Sequence, residues 1–330
     1  MLWMVPTTPT KRAKAQHYVP RLHLQHFRGE TPKNMIWTFS KSRGTARPSR
    51  IEETGHQKNF YSVADKNGAY HDAIDQMLQR IESKAAVPYR MLLSGDIPRG
   101  QLRADFSSFV ATCFSRSPAF IRSYAEGTAR MMQLELRLSA RDRKAFERLA
   151  DSMEAETGEK VENRSEVFEF LNDATRYTLG VSEKLGLKAI GFADGLAPIL
   201  FSRGWAVVTA VGDSFITSDN PVYRWVPQET AHPIYGDGGF ENARAEVTFP
   251  LSTNKMLLIA ATVDTEEPVF VDADDVRHLN RMRAVNAEEF LFSHQNDERV
   301  QSMAREFKDT RPRMTIGHKL ARDVEVNIKR

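Results

Sequence analysis

The sequence predicts an α+β fold in which a helical middle region is inserted between a β-rich N-terminal segment and a C-terminal, mainly antiparallel sheet. Three observations carry that expectation. Short runs rich in β-branched and aromatic residues fall in residues 15–63 and again in 205–262. Between them, over 70–201, apolar residues recur at three- and four-residue spacing. The N-terminal segment is too short to bury a core of its own, so it is expected to pack against the C-terminal sheet.

Each element follows from its local pattern. Met35-Ile36-Trp37-Thr38-Phe39 and Asn59-Phe60-Tyr61-Ser62-Val63 read as strands separated by a polar loop containing Gly and Pro. Ile74, Leu78, Ile81 and Ala85 mark a helix that Pro88 is expected to interrupt. Leu102, Phe106, Phe109, Val110, Cys113 and Phe114 mark the next, ended by Ser117-Pro118. A charged amphipathic stretch follows from about Tyr124 to Ala155, with Leu134, Leu138, Phe146 and Leu149 on its inner face. Two more helices fit Ser165 to Leu179 and Ser182 to Phe201. Trp205 to Ala210 and Phe215 to Thr217 read as strands of one hairpin across Gly212-Asp213. Glu246 to Phe249 and Lys255 to Ala261 are two more, joined by Pro250 to Asn254. A final helix capped by Asp272 carries Val276, Leu279, Met282, Phe290 and Leu291. The expected division is a basic flexible N-terminus (1–14), a composite β-rich domain (15–63 plus 205–295) carrying the candidate site, a helical domain (70–201) and a basic C-terminal tail (296–330).

The 330 residues are 41% hydrophobic and 27% charged, an ordinary soluble composition. No apolar run approaches the roughly 20 residues needed to span a bilayer. The opening Met1-Leu2-Trp3-Met4-Val5 lacks a basic leader and a cleavage site, so a cytoplasmic location is expected. The single cysteine, Cys113, excludes disulfides within the chain and zinc ribbons, and its apolar surroundings mark it as a buried small hydrophobe. The net charge of +3 is unevenly spread, with Lys11, Arg12 and Lys14 near one end and Arg311, Arg313, Lys319, Arg322, Lys329 and Arg330 near the other. Such termini either track nucleic-acid phosphates or are solvated tails.

Four groups of residues carry chemistry. His17 lies just before the helix expected after Pro20, where an imidazole can act as general base, metal ligand, phosphate contact or simple cap. His23 and His26, nearby, read mainly as surface or packing residues. Ser218-Asp219-Asn220-Pro221 ends an apolar strand; Asp219 can ligate a divalent cation or orient a histidine, and the same sequence makes a plain Asx turn. Arg116, at a Pro-marked helix end, needs an anionic partner, either a substrate phosphate or a carboxylate such as Asp219. Asn286, in the last helix, reads as a core hydrogen-bonder or a site residue. Phosphate loops, dinucleotide fingerprints, His-Glu-x-x-His and Gly-x-Ser-x-Gly are absent.

His17-Tyr18-Val19-Pro20 with Leu24 and Phe27, then Ile36-Trp37, Asn59-Phe60-Tyr61, Ile81-Glu82, Arg116-Ser117-Pro118, Thr217 to Pro221, Phe249 to Ser252 and Asn286, together resemble domain-of-unknown-function family 4238. The stretch from about 124 to 165 matches nothing in that pattern and is expected to be dispensable for the site, as a projecting arm or a homo-oligomer contact. The resemblance implies one site containing His17, Arg116, Asp219 and Asn286. It brings no established activity, and the family's spread among bacteria makes a defence role thinkable.

The leading expectation is a phosphodiester hydrolase, nuclease-like, with His17 as base or ligand and Asp219 as metal ligand or orienter. Arg21 and Arg116 then clamp phosphate beside Asn220, with Mg²⁺ or Mn²⁺ as the cation. The rivals are a non-catalytic nucleic-acid or protein-interaction module and a small-nucleotide sensor. In either case the opening motif and the Ser-Asp-Asn-Pro loop are expected to meet in space.

Overall fold

The computed structural model describes residues 15–30, 33–58, 60–61, 63–64, 70–71, 73–139, 141–173, 186–231, 236–263 and 267–312. It divides into two compact units, Met1–Ile121 with Leu187–Met314, and Arg122–Gly186 with Thr315–Arg330. The fold is α+β, with the helical region lying in the chain between N-terminal and C-terminal strands.

The first unit begins with β1 (Gln16–His17), α1 (Arg21–Leu24), β2 (Ile36–Ser40), β3 (Ala46–Ser49), β4 (His56–Gln57), β5 (Val63–Ala64) and β6 (Tyr70–His71). The helices α2 (Ala73–Ser94) and α3 (Gly100–Ser115) follow, and α4 (Pro118–Ser139) begins in this unit. α5 (Arg143–Thr157) and α6 (Arg164–Asn172) belong to the second unit. The chain re-enters the first with α7 (Phe192–Ser202), β7 (Gly204–Ala210), β8 (Thr217–Ser218), β9 (Tyr223–Trp225), β10 (Glu246–Pro250), β11 (Lys255–Ala260) and β12 (Val269–Val271). It closes with α8 (Ala273–Asn286), β13 (Phe290–Ser293) and α9 (Glu298–Glu306).

Two sheets organise this unit. One has the order β12-β7-β11-β10-β9 and is antiparallel except where β12 runs parallel to β7. The other has the order β3-β2-β13-β8 and is antiparallel throughout, so the N-terminal segment and the C-terminal strands share a sheet. Alternation along β7 splits the first sheet between two cores. Trp205 and Val207 join Tyr89, Phe106, Phe109, Phe249 and Leu257 under α2, α3 and α7. Val208 faces the opposite way, with Phe215, Met256 and Val276 of α8. A third core holds Phe39, Ile216, Leu291, Val300 and Ala304 against the second sheet. Each fully buried aromatic or aliphatic side chain contributes about 1.5–3 kcal/mol. Cys113 is buried in the first core, as its apolar context implies.

Several expectations change. Helices α2, α3 and α7 share the first sheet's core, so they do not form a helical domain over 70–201 separate from the strands. Pro88 lies inside α2 because Ala85, Tyr89 and Leu92 continue the buried face on either side of it. β7 and β8 are not a hairpin: after Gly212, at φ +82°, the chain crosses to the other sheet and β8 pairs with β13. The last expected helix stops at Asn286, and Phe290 to Ser293 form a strand on β2. Residues 298–306 of the expected tail are a helix capped by Asp297, with Val300 and Ala304 buried. The expected strand over 59–63 and the helices over 165–179 and 182–201 lie partly outside the described residues, as do the basic residues of both termini.

In the second unit the expected stretch from 124 to 155 is two helices. Asp142 caps α5 by accepting from the Lys144 N–H at 2.9 Å, and Gly158 ends it at φ 74°. Phe146 meets Phe168 edge-on at 5.4 Å, and Arg164 reaches Glu147, Asp151 and Glu154, each at 2.8 Å. Among the described residues no helix is long and apolar enough to cross a membrane.

Candidate functional site

The opening motif is fixed from both sides. β1 pairs with β4 so that His17 stands opposite His56. The Gly55 carbonyl accepts from the Tyr18 N–H at 2.9 Å and the Val19 N–H at 3.1 Å. Gly55 sits at φ +63°, and a Cβ there would press on Val19, so a glycine is required. Val19, Leu24 and Phe27 are fully buried, which anchors the segment by apolar contact and leaves the imidazole of His17 half-buried.

The His17 and His56 rings lie 5.4 Å apart between centroids. Nε2 of His17 and Nδ1 of His56 are both buried with no hydrogen-bond partner. Burial lowers the His17 pKa below 6.5, and the charge of His56 lowers it further, so the ring is neutral at neutral pH. Arg21, two residues into the turn after Val19, adds to that depression and itself pairs with Glu52 at 2.8 Å on the exposed surface.

Tyr61 is tied to the same segment, since its N–H donates to Gln16 Oε1 at 2.6 Å. The ring is fully buried and its hydroxyl has no partner. Arg116, the residue that ends α3, is only 1% exposed. Its Nη1 donates to Glu82 Oε1 at 2.9 Å, while Nε and Nη2 have no partner. Burial alone would lower the Arg116 pKa, but Glu82, Cys113 and Tyr61 together outweigh it and hold the guanidinium charged. The same Glu82 also acts electrostatically on His17 and Tyr61, which marks these groups as one neighbourhood.

The Ser-Asp-Asn-Pro loop is built differently. Asp219 is 1% exposed and both its oxygens are occupied: Oδ1 accepts from Glu288 N–H at 2.8 Å, Oδ2 from Glu289 N–H at 2.6 Å and Phe290 N–H at 2.8 Å. Burial pushes its carboxyl up to about 7 against the pull of these three donors. Asn220 Nδ2 donates to the Asn286 carbonyl at 3.0 Å, and Asn286 Nδ2 to the Val222 carbonyl at 3.2 Å. Arg283 Nη1 donates to the Pro221 carbonyl at 2.6 Å. Asp219, Asn220 and Asn286 are thus brought together, but chiefly with backbone, and no hydrogen bond or ion pair joins any of them to His17.

The two motifs meet elsewhere. His23, fully buried and not a surface residue, lies 2.7 Å from Thr217 Oγ1 through Nε2 and 3.0 Å from the Tyr89 hydroxyl through Nδ1. Tyr18 is also close enough to Asp219 for that carboxylate to reinforce the upward shift that burial gives its hydroxyl. Arg116 takes its internal carboxylate from Glu82 rather than Asp219. His56, Tyr61 and Glu82 had no role in the expected site; Tyr61 and Glu82 stand within runs that carry the family resemblance, whereas His56 has no such signal.

Among the described residues no group of three or more His, Cys, Asp or Glu side chains converges to hold a metal ion. A cleft of about 220 Å³ lies apart, lined by Asp213, Asn280, Arg281, His294 and Arg299 among others, and includes none of His17, Arg116 or Asp219. A family model described as "Protein of unknown function (DUF4238)" matches residues 15–297. No curated protein and no solved structure matches the chain.

Proposed function

The chain belongs to the DUF4238 family, and from that premise we propose a phosphodiester hydrolase, nuclease-like, whose reacting centre is His17. The observation that carries this reading is the pair of imidazoles of His17 and His56, 5.4 Å apart, each with a buried nitrogen lacking a partner. A neutral His17 accepts the proton of an attacking water or hydroxyl as the new P–O bond forms. His56, when protonated, supplies a proton to the leaving oxygen as the old P–O bond breaks. Arg21, exposed beside His17, contributes positive charge toward a phosphate, and the basic residues near both ends of the sequence add attraction for nucleic acid. Were a divalent cation used, His17 Nε2 would ligate it instead of acting as the base, because both oxygens of Asp219 already carry N–H donors.

The test is cleavage of single- and double-stranded DNA and RNA, with and without Mg²⁺ or Mn²⁺, by the wild type and His17→Ala. Loss of a general base lowers the rate by about 10²–10⁴, while stability falls only by what the ring's backbone hydrogen bond at Ile51 contributes, about 0.5–1.5 kcal/mol, because Nε2 has no partner to lose. A wild type that cuts none of these substrates retires the proposal.

One observation favours a second reading, a non-catalytic interaction module. The Ser218 to Pro221 loop spends its polar groups on the backbone of residues 286–290 and their surroundings, as a structural lock does. On that reading His17→Ala lowers nucleic-acid or protein binding with no activity to lose.

A further inference from the structure

We infer that the Nε–Nη2 edge of Arg116, together with the Tyr61 hydroxyl, is a buried receptor for one terminal phosphoryl group. A guanidinium presents its N–H donors in a planar fork, and the edge formed by Nε and one Nη matches two oxygens of an oxyanion. In Arg116 the other corner, Nη1, is taken by Glu82 at 2.9 Å, which fixes the plane of the fork and leaves the Nε–Nη2 edge open.

A buried donor without an acceptor is costly, and folded proteins leave few of them. Here Arg116 Nε, Arg116 Nη2 and Tyr61 Oη stand without partners, on side chains that are 1% and 0% exposed, and the Arg116 charge acts on the Tyr61 hydroxyl. The Cys113 thiol takes a weak hydrogen bond from Arg116, and a single sulfur acceptor does not complete the fork. Tyr61 is held by its own backbone bond to Gln16, and burial keeps its hydroxyl protonated and therefore able to donate. The common need of these groups is an acceptor. Three donors on two side chains suit a tetrahedral group with three terminal oxygens better than a planar carboxylate with two.

The burial of Arg116 restricts what reaches it. An internal phosphodiester is flanked by sugar on both sides, whereas a phosphomonoester end or inorganic phosphate presents its oxygens without flanking bulk. This deepens the phosphodiester proposal, and rests on it in taking the phosphoryl group to be that of a substrate or product end. Binding itself needs no catalysis.

The experiment is calorimetric titration in phosphate-free buffer with inorganic phosphate, 5′-AMP and acetate, on wild type, Tyr61→Phe and Arg116→Lys. Phosphate is expected to bind the wild type, about tenfold more weakly to Tyr61→Phe and at least about a hundredfold more weakly to Arg116→Lys, which keeps the charge but loses the fork. Tyr61→Phe keeps the ring in the core and decides the matter if Arg116→Lys does not fold. Competition by 5′-AMP assigns the site to a nucleotide end; phosphate binding without it assigns the site to free phosphate, and both uphold the receptor. No phosphate binding at about 10 mM, equal affinity for acetate, or unchanged affinity in Tyr61→Phe (water, or an adventitious ion only) overturns it. Phosphate binding by a protein that cuts no oligonucleotide removes the hydrolase alone, and cleavage without phosphate binding removes the receptor alone.

Discussion

Thr217 Oγ1 lies 2.7 Å from Nε2 of His23, a fully buried imidazole whose tautomer is set at its other nitrogen. The Tyr89 hydroxyl donates to the Leu251 carbonyl at 2.8 Å, so toward His23 Nδ1 at 3.0 Å it must accept. Nδ1 therefore carries the proton and Nε2 is the acceptor. The chain Thr217–His23–Tyr89–Leu251 ties α1 to β8, α2 and the turn after β10 through polar groups with no water access.

Thr217→Val removes the hydroxyl and keeps the shape. It leaves Nε2 unpaired in a dry site, at a cost of about 1–3 kcal/mol. Thr217→Ser should recover most of that. Urea unfolding midpoints of the three proteins check it, and a wild-type midpoint in the valine variant would show the bond to be dispensable.

Asp219→Ala strips the acceptor from three backbone N–H groups at residues 288–290. The expected loss is about 3–5 kcal/mol, the range for breaking a buried charged network. Asp219→Asn, which retains one carbonyl oxygen, should fall between. Chelation should not move the wild-type melting temperature. An alanine variant as stable as wild type, but without activity, would return Asp219 to a catalytic role.

Lys41→Met tests the other end of the same turn. Lys41 Nζ donates to the Ala284 carbonyl at 3.2 Å, Ala287 at 2.7 Å and Thr310 at 2.6 Å, closing the C-terminal end of α8. Methionine fills the same volume without a donor, and about 2–3 kcal/mol should be lost. Amide exchange should quicken around residues 284–287; unchanged exchange there would mean that the carbonyls find other donors.

Stability should rise as pH increases from about 4 to 6.5. His26, stacked on Tyr89 at 4.7 Å, is lowered to about 4 by burial and by Arg28. Between that value and 6.5 the unfolded chain binds a proton that the folded chain refuses. The stabilisation is therefore fully present above 6.5 and is lost as pH falls through the folded value, at most about 3 kcal/mol. His17, His23 and His294 are depressed too and act with the same sign. Asp219, raised to about 7, acts with the opposite sign between 3.8 and 7. Melting curves across this window should be shallower in His26→Asn; an equal slope would assign the effect to the other groups.

The strands over 204–210, 246–250 and 255–260 were legible because their apolar residues face packed helices, and period two survives in the sequence. What failed was set by distant partners. The local pattern continues α8 past Asn286, yet the N–H groups of residues 288–290 are claimed by Asp219, far upstream. Likewise nothing near Phe215 says that β8 belongs to β13 rather than β7. In the candidate site, His17 and Arg116 were singled out from a turn and a helix end. His56 could not be found by spacing, because it joins His17 only through the β1–β4 pairing. Glu82 and Arg116 meet only when α2 packs on α3.

The order of the second sheet constrains when the protein can become itself. Strand β2 lies between β3 and β13, and Ser40 meets Glu289 across 249 residues of chain. During synthesis, Ile36 and Phe39 must wait until β13, about 250 residues further along the chain, has been made. The waiting segment is a bare edge of the kind that pairs with the wrong chain. Closure across so long a loop is slow as well. Assembly on the ribosome is thus a race between shielding this early strand and losing it to aggregation, decided only when Phe290 to Ser293 arrive.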